Sequence, residues 1–163
     1  MSETLDVAKN AMAAYQECAD YIAKIEKAQR KLASIKNDDV EIATTPKDVV
    51  LKSDKATLYR YERDHSVAPS ITPVIVIYGL IGRQTMIDLQ ENRSLVKNML
   101  ANGADVFEIN WGNPTRGDRW LKIDDYIDGY IDEFVDYVRA ETGYDKINIF
   151  GICEGGTFST VYT

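Results

Sequence analysis

The residues Pro73-Val74-Ile75-Val76-Ile77-Tyr78 form a continuous apolar run with no polar alternation. Such a strand needs cover on both faces, as it would have inside a parallel sheet. The segments after this run set the architecture. Residues 93–102 place Leu95, Val96, Met99 and Leu100 on one helical face, with Gly103 as the stop. Residues 104–111 read as a strand. Residues 121–142 read as a helix carrying Tyr126, Tyr130, Phe134, Tyr137 and Val138, ended by Gly143, and residues 146–150 as the last strand. Strand, helix, strand, helix, strand calls for a parallel sheet with right-handed crossovers, so the fold class is α/β. Ligands bind these sheets beyond the carboxyl ends of the strands. The loops after Tyr78, Asn110 and Phe150 are therefore expected on one rim.

Ahead of this unit, residues 1–36 read as a single helix. Leu5, Ala8, Met12, Tyr15, Ala19, Ile22, Ile25 and Leu32 recur every three to four residues, and Ser2 with Leu5 and Asp6 is a candidate N-terminal cap. A helix this long packs across its own domain or docks on a partner, and its spacing does not choose between them. Asn37-Asp38-Asp39 breaks the pattern, dividing the chain into a helical segment, 1–36, and a body, 37–163. Thr44-Thr45-Pro46 opens a turn or helix start. Two short strands, 48–52 and 57–61, come next, joined by a hairpin turn at Ser53-Asp54-Lys55. Residues 63–73, with Pro69 and Pro73, form a polar loop.

Several function classes are excluded. With 26 acidic against 19 basic residues the formal charge is −7, and no basic stripe offers phosphates a counter-charge, so nucleic acid is not an expected partner. No apolar run approaches the roughly 18 residues of a membrane span. Glu3, Asp6, Glu17 and Asp20 deny the N-terminus the character of a secretory signal. Cys18 and Cys153 are too few for a disulfide framework, which fits a reducing cytoplasm. The acids Asp124, Asp125, Asp128, Asp132, Glu133 and Asp136 lie along a helix with aromatic partners and read as a solvated face. No Cys/His cluster has zinc spacing, and no metal is expected.

The chemistry points to Gly151-Ile152-Cys153-Glu154-Gly155, directly after the last strand and before a helix at 157–162. It matches the nucleophile elbow G-x-S-x-G with Cys in place of Ser. The elbow is a strained turn, and flanking glycines give room where a Cβ would clash. The turn presents its side chain at a helix N-terminus, which favours an anion, and the thiolate is the reactive form of cysteine. An elbow also needs an oxyanion hole. One donor is the N–H of the residue after the nucleophile, here Glu154. The second is expected from Gly79-Leu80-Ile81-Gly82, where many hydrolases carry His-Gly-Leu-x-Gly; Leu80 is the assignment, with Ile81 its neighbouring alternative. A thiolate attacking a thioester forms another thioester at nearly equal free energy. That suits acyl transfer from a coenzyme A thioester to an alcohol, although a hydrolase can also use Cys.

With these residues in view, the chain resembles the N-terminal half of a polyhydroxyalkanoate synthase, in particular the catalytic subunit of the two-subunit class III enzymes. The resemblance runs from about Thr45 to the end. It is carried by Pro46-Lys47, Leu58-Tyr59-Arg60-Tyr61, the apolar run at 73–78, Asp88-Leu89-Gln90-Glu91-Asn92-Arg93-Ser94-Leu95, Asn110-Trp111-Gly112, Asp124-Asp125-Tyr126-Ile127-Asp128-Gly129-Tyr130-Ile131 and Gly151-Ile152-Cys153-Glu154-Gly155-Gly156-Thr157-Phe158-Ser159. It implies the α/β-hydrolase fold and polymerisation of (R)-3-hydroxyacyl-CoA, such as 3-hydroxybutyryl-CoA, with release of CoA. It implies that Cys153 carries the growing chain as a thioester, with a His as base and an Asp assisting it. It further implies a non-catalytic partner subunit, an oligomeric assembly and work at cytoplasmic polyester granules. No cofactor is implied, since coenzyme A is a leaving group.

The chain departs from that family at three places. Asn110-Trp111-Gly112 stands where the family usually shows Asp-Trp-Gly. Gly82 precedes Arg83 where an Asn is common. The family's Asp and His lie downstream of the elbow, past Thr163. His65, the one histidine, is expected at the amino ends of the strands, opposite the rim, as a solvated loop residue. No Cys-His-Asp set is therefore expected within residues 1–163, which read as a fragment, inactive and aggregation-prone alone, with the last strand an unprotected edge. Asn110-Trp111-Gly112 either lines the rim or caps the core. Two other readings stay open. One is a Cys-dependent thioesterase or esterase of the same fold, like dienelactone hydrolases. The other is a non-catalytic interaction module using the N-terminal helix.

Overall fold

A computed structural model describes residues 2–36, 39, 41–69 and 72–163. The proposed cap at Ser2, Leu5 and Asp6 and the break at Asn37 and Asp38 lie outside the described residues and side chains. The chain forms two compact units, Met1–Glu41 and Ile42–Thr163. The first holds one long helix, α1 (Ser2–Ser34), as its periodicity predicts. Spaced pairs such as Glu26 with Arg30 at 3.3 Å support its polar face.

The second unit is a mixed five-stranded sheet, β1 (Lys47–Ser53), β2 (Ala56–Tyr61), β3 (Val74–Ile77), β6 (Val106–Asn110) and β7 (Asn148–Gly151), in the order β1-β2-β6-β3-β7. The α/β expectation holds: β3 lies parallel to β6 on one side and to β7 on the other. The predicted hairpin forms, with Asp54 in the left-handed region at φ 48°. It does more than cover the body, because β2 pairs antiparallel with β6 and extends the sheet.

Alternation along the strands sorts the core into two faces. Ile75 and Ile77 of β3, with Phe107 and Ile109 of β6, pack against the helical segment 125–142 and α4 (Glu154–Tyr162). Val74, Val76 and Val106 face the other way, onto Val96 and Leu100 of α2 (Leu95–Ala101). All four residues of β3 are buried, which explains the run without polar alternation.

Several boundaries differ from the sequence reading. The helix expected over 93–102 starts at Leu95, because Ser94 adopts an extended backbone and caps it by accepting the Lys97 N–H at 2.9 Å. Arg93–Ser94 instead forms β5, paired with β4 (Asp88–Gln90) in a small second sheet. Thr44-Thr45-Pro46 starts no helix. Thr45 is buried and donates its N–H and hydroxyl to the Asp88 carboxylate at 2.9 and 2.8 Å. The helix expected from Leu121 is preceded by a 3₁₀ turn, Arg116–Trp120, capped by Thr115 and Asp118. Its first half, Asp125–Ile131, is a π-helix, continued by α3 (Asp132–Thr142). The wider π turn brings Tyr126, Ile127, Tyr130 and Ile131 all into the core.

Asp88 holds the join between the two sheets together. Burial alone would raise its carboxyl, but hydrogen bonds from Ser94 and Thr45, with the Lys97 charge, outweigh that and hold it below the usual carboxylate range. A second buried polar group lies between β1, β2 and β6. The Glu108 carboxylate accepts from Lys47 Nζ at 2.6 Å and from the Tyr61 hydroxyl at 2.7 Å, and Lys47 also sits 4.6 Å from the centre of the Tyr59 ring. Burial, then the Glu108 charge, pushes the Tyr61 phenol far up.

Candidate active site

The register aligns the carboxyl ends of the three parallel strands. Ile77 lies opposite Ile109 on one side and Gly151 on the other. The ladder continues one step past β7, where the Ile152 N–H donates to the Ile77 carbonyl at 2.9 Å. The chain then turns sharply. Cys153 takes φ 57° and ψ −128°, a conformation that L-residues with a Cβ rarely adopt, and serves as the N-cap of α4. The helix therefore starts at Glu154, three residues earlier than the sequence suggested, and the Cys153 side chain is exposed at its tip.

The neighbouring glycines allow this turn by steric room. A Cβ on Gly155 would come 2.1 Å from the Ile77 carbonyl oxygen, and one on Gly151 would come 2.6 Å from the Gly155 carbonyl oxygen. Both are backbone contacts that cannot yield without moving α4 off β3 in the first case and off β7 in the second. Tight seating of α4 against these two strands is thus what Gly155 and Gly151 make possible.

Leu80 lies in the loop after β3, against the start of α4. A Cβ on Gly79 would meet Glu154 Cβ at 3.2 Å. Cys153, Glu154 and Leu80, the three residues singled out from the sequence, are thereby brought together. Glu154 occupies the first helical position, where a backbone N–H has no intrahelical acceptor. The Leu80 N–H is engaged: it donates to Glu154 Oε2 at 3.0 Å. Nothing in the sequence pointed to that contact, because the two residues lie 74 positions apart. The alternative donor, Ile81, is almost wholly exposed, at 97%.

A cavity of about 570 Å³ opens beside this point, walled by residues 78–85 and 109–114; Cys153 is not part of its wall. Both readings left open for Trp111 are realised. It is buried, with its ring edge-on to Tyr126, Tyr130 and Phe158, and it also contributes to the cavity wall. Its indole N–H donates to the Tyr78 carbonyl at 2.8 Å. Asn110, where the resembling family has Asp, accepts the Gly112 N–H at 2.9 Å through Oδ1, a bond a carboxylate oxygen would also accept. Gly112 itself is at φ 68°, and a Cβ there would lie 2.3 Å from the Lys55 carbonyl oxygen. Gly82 leaves space for the Tyr78 ring, which a Cβ would meet at 2.2 Å, so a larger residue there requires that ring to move.

His65 is exposed and lines a separate cavity with Arg60, Tyr61 and Arg63. Arg60 lies opposite Phe107, near the amino end of β6, so this cavity is at the end of the sheet opposite the elbow. Four acids of the 124–136 segment, Asp125, Asp132, Glu133 and Asp136, have structural partners. Glu133 accepts from Ser53, Asp132 from the Tyr162 hydroxyl at 2.8 Å, and Asp125 from the Lys122 N–H at 2.7 Å. Burial, then Asp132, raises the Tyr162 phenol to about 12. No described helix is long and apolar enough to cross a membrane.

Comparison with known proteins agrees with this fold. The family model for the alpha/beta hydrolase fold matches residues 72–163. The chain is 44% identical over 150 residues to the poly(3-hydroxyalkanoate) polymerase subunit PhaC of Allochromatium vinosum, covering 91% of this chain and 41% of that protein. It is 43% identical to the subunit of the same name from Thiocystis violacea, over 90% of this chain and 41% of that one. The corresponding figures for Synechocystis sp. are 42%, 90% and 38%. The chain thus spans about two-fifths of the length of these relatives. With parallel strands at its centre and helices on both faces of the sheet, this chain belongs to the alpha/beta hydrolase fold family, with similarity to its poly(3-hydroxyalkanoate) polymerases.

Proposed function

We propose that Cys153 is the acyl acceptor of a polyester synthase using (R)-3-hydroxyacyl-CoA, with 3-hydroxybutyryl-CoA as the reference substrate. The observation that carries this reading is the backbone of Cys153, held at positive φ on the open rim with helical N–H groups directly behind it. In the loading step the Cys153 sulfur attacks the thioester carbonyl. A new carbon–sulfur bond forms, the bond to CoA breaks, and the thiol proton ends on the departing CoA. In the transfer step the hydroxyl of an acyl group attacks that thioester. An ester bond forms, the bond to Cys153 breaks, and the hydroxyl proton returns to the cysteine sulfur. The N–H groups of Glu154 and Leu80 are assigned to the carbonyl oxygen as it gains charge in each step.

A base must shuttle those protons. His65 is at the wrong end of the sheet, so we assign the base, and the Asp that orients it, to residues outside 1–163, as the family resemblance implies. Residues 1–163 alone are then expected not to turn over. A partner subunit belongs to the same proposal, in keeping with the word subunit in the relatives' names, and action at a polyester granule belongs to it as what the family resemblance implies. The cavity of about 570 Å³ next to Leu80 gives the acyl group a place to lie.

The test is incubation of the full chain with 3-hydroxybutyryl-CoA, comparing wild type with Cys153→Ala. Wild type is expected to release CoA and form polymer, and the variant neither. Equal CoA release from both would overturn the assignment. Free hydroxyacid in place of polymer would move the protein to the Cys-dependent hydrolases, and no acyl product from either would favour the interaction module.

A further inference from the structure

The side chain of Glu154 does something that its place in the elbow motif does not require. Its carboxylate folds back across the rim and accepts the Leu80 N–H at 3.0 Å. That N–H is the second donor assigned above to the acyl oxygen. We infer that Glu154 is a built-in latch on the oxyanion hole. In the resting protein its carboxylate fills the donor that the substrate carbonyl must use, and acyl loading proceeds only as the carboxylate swings away. This inference rests on the reading of Cys153 as the acyl acceptor.

A carboxylate is a stronger acceptor than the carbonyl of a thioester, since a charged acceptor gives a hydrogen bond roughly twice as strong as a neutral one. An arriving substrate therefore competes at a disadvantage until its oxygen acquires charge in the transition state. The bond is also displaceable, because Glu154 is exposed and water can receive the released carboxylate. Finally, the acid is stabilised where it stands, in the first turn of α4, where the helix dipole favours a negative charge. The latch therefore closes by default and opens at modest cost. Such an arrangement lowers the rate at which an unfilled site reacts with small acyl donors, while a substrate bound by its remaining parts can still displace the carboxylate.

The experiment separates the latch from effects of charge on the sulfur. In a Cys18→Ser background of the full chain, Cys153 is reacted in parallel with 3-hydroxybutyryl-CoA and with iodoacetamide, and the adducts are followed by mass spectrometry. Alkylation by iodoacetamide displaces iodide at a saturated carbon and uses no oxyanion donor. Any change in thiolate reactivity on removing a nearby negative charge affects both reactions, and the weaker repulsion of anionic CoA is shared by Glu154→Gln, which loses the same charge but keeps an acceptor. Glu154→Ala is expected to raise the ratio of acylation to alkylation about fivefold to tenfold. Glu154→Gln, which keeps a neutral acceptor, is expected to fall between it and wild type. Amide hydrogen exchange at Leu80 should quicken in Glu154→Ala by a similar factor.

An unchanged ratio in Glu154→Ala, with wild type acylated normally, overturns the latch and leaves the acyl-acceptor reading standing. A fall in the ratio does the same and makes Glu154 a helper of the reaction. Failure of wild type and both variants to acylate, with alkylation intact, overturns both together.

Discussion

Two regions of the sheet carry residues of the kind that do chemistry, and they are built in opposite ways. Between β1, β2 and β6, Lys47, Glu108 and Tyr61 meet in a buried group held by an ion pair at 2.6 Å and a phenol hydrogen bond at 2.7 Å. At the rim, Cys153 stands exposed on a strained backbone, with donors drawn mainly from the main chain. Judged by residue type and by perturbation alone, the first looks the more reactive, since the Tyr61 phenol is pushed far up by burial. What separates them is access. Glu108 is 1% exposed and its partners belong to the sheet itself, so this group fastens β1 to the centre and presents nothing to a ligand. The rim keeps the Cys153 side chain in reach of solvent. Perturbed ionisation marks a site only where something outside can reach it.

Substitutions put this division at risk. The largest effect belongs to Cys153→Ala, expected to abolish acyl loading from 3-hydroxybutyryl-CoA while leaving urea unfolding within about 0.5 kcal/mol of wild type. Lys47→Ala should do the reverse. Leaving Glu108 buried without its cation is expected to cost about 3 kcal/mol in a urea titration, with loading per folded molecule unchanged. If Lys47→Ala also removed loading from correctly folded protein, the distinction between fastening and reacting groups would fail.

Smaller effects test the two regions more finely. Asp88→Asn is expected to lose about 2 kcal/mol at neutral pH, since hydrogen bonds to a buried charged acceptor are replaced by weaker ones. Because the folded carboxyl of Asp88 titrates below the unfolded value of about 3.9, its contribution is fully present above that value. It is lost as pH falls through the folded one. Wild-type stability should therefore drop below about pH 4, and this part of the drop should be missing in Asp88→Asn. The smallest effect is a gain. Cys153→Gly relieves the positive φ and is expected to raise stability by about 1 kcal/mol while ending acyl loading, a direct reading of strain held at the reacting residue.

How much of this was legible in the sequence depends on the range of the forces involved. Buried strands announce themselves locally, so the run at 73–78 and the alternation after it led to the right sheet, and Ser53-Asp54-Lys55 marked its hairpin. The elbow was legible because its Gly-x-Cys-x-Gly spacing is a local signature, although the clash that demands Gly155 comes from the Ile77 carbonyl, 78 residues away. The 3₁₀ turn ahead of the helix expected from Leu121 was missed although a local signal existed, the Thr115-x-x-Asp118 cap. The π-helical half of that helix had none, since only the packing of Tyr126 and Tyr130 around Trp111 reveals the wider turn. The contacts that periodicity could not reach are polar ones between distant positions. Thr45 with Asp88, Lys47 with Glu108 and Leu80 with Glu154 are separated by 43, 61 and 74 residues.

The indole of Trp111 has a consequence for how the cavity beside Leu80 can evolve. It hangs from the Tyr78 carbonyl at one wall, follows the strand that supports the other, and meets Phe158 of α4 edge-on. The two walls and the elbow helix are thus bolted through a single ring system, and widening the mouth by shifting either loop would drag that helix with it. If the cavity holds an acyl group as proposed, room for a longer tail has to come from trimming exposed side chains on the outer lip, such as Ile81 or Arg83.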